Sequence, residues 1–421
     1  MKRVLTVLSL CFALAHSGLA QNPPPNPPPP PTGPVTMQQA VEQVLAHNPL
    51  LLAAQQNLLS MKGQEIQAGV RANPYLVGAG SDVSLPADNP SSPYSYSVGV
   101  NRLFERGQKR RWRLDAARAT TAQTDAQYHD QIRQTTLLAR QSFTTLVLAK
   151  AALKLAQDNL RDYRHVLQIN HDRYDAGAIG KLDFERLDLQ LAQFESDVSS
   201  AEMNLVQASD QLQTLMGYPQ PSRGFDIIGG LIPPAVPGGL TDWEQRALAA
   251  RPDYRAAQAA VRVADANVKL AYANGTTDPT VEGDYNRTGI YNSAGFSINI
   301  PLRIFDRNQG NKDTSKYLAT ASQFGEVAVQ NQVYSDVDQA WIGYSTAKVL
   351  SDRYNGHYLA EAKDVLSIAE FAYQHGGIAL LDYLSAVQDD RQTSLNALNS
   401  YAQTWMAIHQ LSYASATEVV P

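Results

Sequence analysis

The 421-residue sequence predicts a mainly α-helical chain with a membrane β part. It reads as a duplicated unit, in which long coiled-coil helices build a tube and four strands contribute to a β-barrel shared between copies. Three observations carry this expectation. A patch of fixed pattern occurs twice, helical stretches run far longer than a globular core needs, and the only strand-like segments are two amphipathic pairs.

The N-terminus, "MKRVLTVLSLCFALAHSGLAQ", sets Lys2 and Arg3 before an apolar run, and Gly18 and Ala20 before a cut between Ala20 and Gln21. That order is an export signal over residues 1–20, too short to span a bilayer. Cys11, the only cysteine, lies within it, so the mature chain has no thiol for a disulfide or thiolate metal site. A lipid anchor at Cys11 is disfavoured because Leu10 stands where a lipoprotein signal wants a small residue. Residues 21–35 are rich in proline, which lacks an amide donor and favours extended geometry, so they read as a tether. A net charge of -5, with no run of like charge long enough to suggest nucleic-acid binding, argues against nucleic acid as a partner. No later stretch reaches about 18 continuous apolar residues, so any membrane crossing must use strands.

The repeat is clearest at "RYDAGAIGKLD" (Arg173–Asp183) and "YQHGGIALLD" (Tyr373–Asp382), which share Tyr-x-x-Gly-x-Ile-x-x-Leu-Asp at a spacing of 199 residues. "PLLLAAQ" at Pro49 matches "PDYRAAQ" at Pro252, and "FERGQ" at Phe104 matches "FDRNQ" at Phe305. The copies are residues 36–218 and 241–421, joined by the Gly/Pro-rich stretch 219–240. Each holds a helix of about 24 residues, a β-hairpin (75–104; 280–304), and a helical stretch of about 65 residues (108–172; 309–372). A tip turn (173–183; 373–382) and a helix of about 35 residues (182–216; 380–414) complete each copy.

About 65 helical residues make a rod of roughly 100 Å, while the two shorter helices end to end reach roughly 90 Å and can serve as its partner. In the first copy Leu187, Leu191, Phe194, Val198, Ala201, Leu205, Ala208, Leu212 and Leu215 alternate steps of four and three, a packing seam. The same frame in the second copy carries Asp390, Thr393, Ser400 and Thr404, so the two helices are expected to pack differently.

In "YSYSVGVN" (Tyr94–Asn101) and "FSINIPL" (Phe296–Leu302), apolar and aromatic residues alternate with small or polar ones, as between lipid and a watery lumen. The less regular partner strands put Asp82, Glu282 and Asp284 on the polar, lumen side. By alternation alone a soluble sheet packed on one face is as good a reading. Export and the shortage of strands favour the membrane. Four strands cannot close a barrel, whereas three copies would give twelve, an even number within the usual range.

With these motifs in this order, the chain resembles the TolC-type outer membrane efflux channels over nearly all of its mature length, from "TMQQAVEQVLAHNPLLLAAQ" to "YQHGGIALLDYLSAVQDDRQ". The resemblance implies a homotrimer with one twelve-stranded barrel in outer membrane lipid and a helical tunnel in the periplasm. It also implies docking to a periplasmic adaptor and to an inner-membrane transporter, of RND type, that energises export. "IFDRNQG" is similar to the heavy-metal-exporting branch. By the resemblance, the repeated patches are periplasmic tips where the tunnel narrows. Asp183, Tyr373 and Asp382 match gate positions, and Gly177, Gly376, Lys181 and His375 lie in the same turns. Rings of carboxylates from three chains would repel one another and attract cations. Ile378 stands where the family pattern has an arginine linking helix pairs, and Ser385 where it has a second acidic ring. Asp183 and Asp382 also read as caps of the helices that follow.

His165, His171, His357, His375 and His409 show no ligand pair at helical spacing with a third ligand nearby, although His171, Asp175 and His375 could meet at a tip. "RGQKRRWR" (Arg106–Arg113) is either a solvated helix face or a contact to anionic head groups. No paired acid and base, nucleophile elbow or phosphate loop is present, so neither catalysis nor a cofactor is expected. The expected function is an outer membrane exit duct of a tripartite efflux or secretion machine. The alternative is a periplasmic coiled-coil scaffold; a stand-alone porin would not need helices of roughly 100 Å.

Overall fold

The computed structural model describes residues 33–81 and 94–419. The expected signal, most of the tether and Asp82 lie outside the described residues. The first copy contains α1 (Met37–His47), α2 (Pro49–Ala68), β1 (Tyr75–Ser81), β2 (Ser95–Leu103), α3 (Lys109–Asp175) and α4 (Lys181–Leu215). The second contains α5 (Leu240–Ala250), α6 (Pro252–Asn274), β3 (Thr280–Thr288), β4 (Tyr291–Asn299), α7 (Gln309–Arg353), a π turn (Tyr354–Tyr358), α8 (Leu359–Gln374) and α9 (Leu380–Ser415).

Local chemistry fixes the helix ends. Thr36 and Gln39 form a reciprocal cap on α1, each side chain accepting from the other's backbone amide at 3.3 and 3.0 Å. Asn48 separates α1 from α2, and Pro49 follows at a position where no amide is missed. The Asn48 carboxamide accepts from Leu50 N and donates to Leu215 O, both at 3.0 Å, so the start of α2 is joined to the end of α4. Arg251 repeats the joint in the second copy, donating to Ala414 O near the end of α9 at 3.3 Å. The short helices thus stack end to end, as their lengths require.

The 67 residues of α3 form one helix, roughly 100 Å long. It packs along its own α4 and α2, and along α6 of the other copy. Every residue of the predicted α4 seam is buried or half-buried. The second long helix departs from the expected unbroken stretch, because the π turn interrupts it. The two copies explain why. Phe104 and Phe305 are 201 residues apart, but Tyr174 and Tyr373 are 199 apart, so the second stretch is two residues shorter. Two missing residues would rotate the faces below by roughly 200°. A π turn withholds about one further residue of rotation, which brings the deficit close to a whole turn and returns the buried face to its partners.

The sheet runs β1-β2-β3-β4, antiparallel throughout, and the two hairpins join through β2 and β3 from Ser95↔Thr288 to Leu103↔Thr280. Paired residues share a face. Ser97, Gly99, Asn101, Glu282, Asp284, Asn286, Ser293 and Ser297 therefore lie on one side. Tyr96, Val98, Val100, Tyr285, Phe296 and Ile298 lie exposed on the other. Two strand details differ from expectation. β4 ends at Asn299 rather than Leu302, consistent with the missing amide of Pro301, and β1 sets Val77 on the polar side and Gly78 and Gly80 on the apolar side.

Three apolar clusters hold the rods, the first two at matching positions of the two copies. Phe143, Leu212 and Met216 centre the first, and Trp243, Val337 and Leu411 the second. The third lies at the tips. The tether expected to reach residue 35 stops short of it: Val35 is buried in the first cluster, its amide donates to Asp226 O at 3.0 Å, and it bridges Ile227. Among the described residues no helix is long and apolar enough to cross a membrane.

Candidate functional site

Both tips are built by the same stop signal. Beyond α3, Gly177 takes φ 73°; its amide donates to Tyr174 O at 2.9 Å, and that of Ala178 to Arg173 O at 2.8 Å. Beyond α8, Gly376 takes φ 74°; its amide donates to Tyr373 O at 3.1 Å, and that of Gly377 to Ala372 O at 2.7 Å. This paired bonding satisfies the last carbonyls of each helix and needs a left-handed residue, which glycine adopts without a Cβ clash. An aromatic stack then folds the next helix back. Tyr174 lies on Phe184 at 5.1 Å and 12°, and Tyr373 on Tyr383 at 5.0 Å and 7°.

The tips also hold each other. The buried Tyr373 donates its hydroxyl to Asn170 Oδ1 at 3.0 Å, while Asn170 Nδ2 donates to Val166 O at 2.9 Å. The Arg173 guanidinium stands 5.3 Å above the Tyr373 ring. Burial raises the Tyr373 pKa; the Arg173 charge opposes this and the Asp183 charge adds to it, which places groups of both tips in one electrostatic neighbourhood. Behind them Tyr163 stacks on Phe194 at 4.3 Å and donates to Leu187 O at 2.8 Å. Farther along, Arg391 of α9 pairs with Asp197 of α4 at 2.9 Å. Ile378 joins this apolar cluster, whereas Ser385 is exposed.

Asp183 and Asp382 each occupy the third position of a helix, not its cap. Gly180 and Ala379 are the cap residues, and neither helix has a side-chain cap hydrogen bond, which corrects the capping expectation. The acids remain favourable there because the helix N-terminus carries partial positive charge. Asp183 is half-buried and Asp382 exposed. Lys181 reaches Glu185 at 3.4 Å in solvent. His375 donates from Nδ1 to Phe371 O at 2.8 Å, while His171 lies 3.2 Å from Asp175 on the other tip. The three do not form a ligand set, and no group of three metal-ligating side chains occurs among the described residues.

At the sheet end, Glu282 and Asp284 share the polar face, with Asp284 opposite Gly99 and Gly295 and accepting from Asn286 Nδ2. In "RGQKRRWR", Arg106, Arg110 and Arg111 are exposed, as on a solvated face, and three of its basic residues also have structural partners. Arg110 donates to Gly69 O at 2.6 Å, and Arg113 to Ala68 O at 2.9 Å and to Glu105. Lys109 binds Thr276 O at 2.8 Å and Asp278. The cluster clamps the carbonyl ends of α2 and α6 where the rods meet the sheet.

Sequence reasoning missed Asn170 and Tyr163. The aromatic stacks were missed too, although Phe184 and Tyr383 both follow the repeated Asp and could have signalled them. Asn170 carried no such signal, because Ala369 stands in its place in the other copy.

The chain is 26% identical to the cobalt-zinc-cadmium resistance protein CzcC of Cupriavidus metallidurans, over 95% of this chain and 94% of that one. It is 25% identical to the cation efflux system protein CusC of Escherichia coli K12, over 80% of this chain and 79% of that one. A crystal structure of a membrane protein from Pseudomonas aeruginosa matches its fold with a TM-score of 0.78 at 17% identity, covering 90% of this chain and 92% of that one. The outer membrane efflux protein family model matches residues 40–218 and 243–412, one stretch in each copy, and the chain belongs to that family.

Proposed function

We propose that three copies of this chain form the outer membrane exit duct of a tripartite efflux pump. The observation that carries this reading is the polarity of the molecule along its length. One end is a four-stranded sheet with an apolar outer face and, among the described residues, two unpaired edges; the other, roughly 100 Å away, is a pair of interlocked helical tips. A sheet edge in a membrane needs a partner strand, and three copies edge to edge close twelve strands. The tips form the constriction, with Asp183 and Asp382 as two acidic rings, and Tyr373, Lys181 and His375 beside them. Glu282 and Asp284 line the lumen of the barrel. A periplasmic adaptor and an RND-type inner-membrane transporter supply the energy, since the duct itself has only a path to offer.

The cargo is metal cations. CzcC and CusC bear cobalt-zinc-cadmium and cation efflux names, and acidic rings suit such cargo. Deleting the gene should lower resistance to divalent metals, and the purified protein should run as a trimer from the outer membrane fraction. Recovery as a soluble periplasmic monomer would favour a coiled-coil scaffold. Unchanged metal resistance with altered drug resistance would overturn the cargo.

A further inference from the structure

The apolar outer face of the sheet does not stop where β4 stops. Phe296 and Ile298 face outward, and exposed Ile300 and Leu302 follow at the same two-residue spacing beyond Asn299, Leu302 being 79% exposed. A tight turn, in which Ile304 N donates to Leu302 O at 3.0 Å, then presents Ile304 and Phe305, the latter 89% exposed. Arg303 and Arg307 flank these two residues. Neither guanidinium has a hydrogen bond or ion pair among the described residues. The intervening Asp306 accepts from Asn308 N at 2.8 Å within its own turn. Here the copies part. In the first, Arg102 covers Phe104 at 5.1 Å, Phe104 N donates to Pro279 O at 2.9 Å, and Lys109, Arg110 and Arg113 are used by the clamp.

We propose that Ile300–Arg307 is a lipid-contact elbow: Leu302, Ile304 and Phe305 enter the membrane at the tunnel-side rim of the barrel, and Arg303 and Arg307 bind anionic lipid phosphates there. This rests on the barrel spanning the membrane. Lipid, not a second copy, is the occupant because the elbow continues the outward face of β4. A neighbouring strand would pair through the edge of β4 and leave that face free. Apolar groups beside unpaired arginines match the boundary between acyl chains and phosphates.

The test places a nitroxide on Phe305→Cys, in a Cys11→Ser background, in full-length protein reconstituted into liposomes. Phe296→Cys on the β4 face is the control. Collisions with oxygen and with a water-soluble nickel complex report depth. A label reached by oxygen, about tenfold less by nickel, and shallower than the Phe296 site is the expected result. Strong nickel access at Phe305 with a lipid-buried Phe296 overturns the elbow by placing it in water. Low access to both reagents overturns it in favour of cover by a second copy. A water-exposed Phe296 label overturns the membrane reading itself. Adding phosphatidylglycerol to phosphatidylcholine should draw the Phe305 label deeper, and Arg303→Gln with Arg307→Gln should abolish that shift. Equal depth in both lipids with the arginines present overturns the phosphate assignment.

Discussion

The Tyr373 hydroxyl donates to Asn170 Oδ1 at 3.0 Å, and this bond ties the end of α8 to α3 across the two tips. The donor is buried beneath Arg173, so the bond has little competition from water. Removing the hydroxyl with Tyr373→Phe should cost the closed arrangement about 1 kcal/mol, which raises the open fraction roughly fivefold. Single-channel recording in planar bilayers would register this as more frequent opening. Asn170→Ala should act alike and add little in the double variant; full additivity would show that the two groups do not act as a pair.

The two acids should separate by burial. Asp382 is exposed, whereas Asp183 is half-buried and bears on Tyr373. On the proposed gate, Asp382→Asn should mainly weaken block by divalent cations, because there it would remove a ring of charge from the water-filled path. Asp183→Asn should weaken block and also shift opening, since it alters the field around Tyr373. Bilayer currents with and without divalent cations distinguish the two. Unchanged block in both variants would leave the acids as helix-start residues only.

Duplication made most of this fold legible. Repeated Gly177 and Gly376 marked the turns, and the leucine-rich α4 frame marked its own buried face. What duplication hid were the differences between copies. The π turn answers a two-residue deficit that only appears when anchors at both ends of the long helix are compared. The clamp of Lys109, Arg110 and Arg113 looked like a surface charge cluster because three of its partners, Ala68 O, Gly69 O and Thr276 O, are backbone groups without a side-chain signature; only Glu105 and Asp278 are side chains. Asn170 is one polar residue in a long helix; its role depends on Tyr373, 203 residues away.

Gly217 and Ala416 stand at equivalent ends of α4 and α9, both left-handed, at φ 84° and 49°. Alanine tolerates that region less well than glycine. Ala416→Gly should therefore stabilise the helical part by about 0.5–1 kcal/mol. Gly217→Ala should destabilise it by more, because its Cβ would meet His47 O at 2.6 Å. Thermal melts followed by far-ultraviolet circular dichroism in detergent should move in opposite directions for the two. A loss for Ala416→Gly would mean that its methyl group contributes packing that outweighs the strain.

Asn48 makes three bonds at the joint of α1, α2 and α4, two as a helix cap and one to Leu215 O. Asn48→Ala should cost about 1–2 kcal/mol, near the top of the range for a cap, because the buried Leu215 link is lost as well. Asn48→Asp restores the cap acceptor but not the donor, and should recover only part of the stability in the same melts. Full recovery would show that the link to α4 contributes nothing.

His409 gives the helical rods a defined response to acid. It is buried between α9 and α3, its Nε2 is 2.9 Å from Thr144 Oγ1, and burial, with the Arg140 charge adding, lowers its pKa to about 3. The unfolded chain takes up this proton near the ordinary value of about 6.5, whereas the folded chain resists it. Stability from the neutral ring is therefore fully present above about pH 6.5 and is lost as pH falls toward the folded value, by about 1.4 kcal/mol for each unit. Between pH 7 and 4.5 the native chain should lose about 2–3 kcal/mol through this residue. His409→Gln keeps a polar partner for Thr144 without a titrating group. Its stability should fall less over the same interval, and the wild-type-minus-variant difference in denaturant melts isolates the histidine from the carboxylates. A difference that stays constant from pH 7 to 4.5 would show that His409 takes up its proton within the folded state.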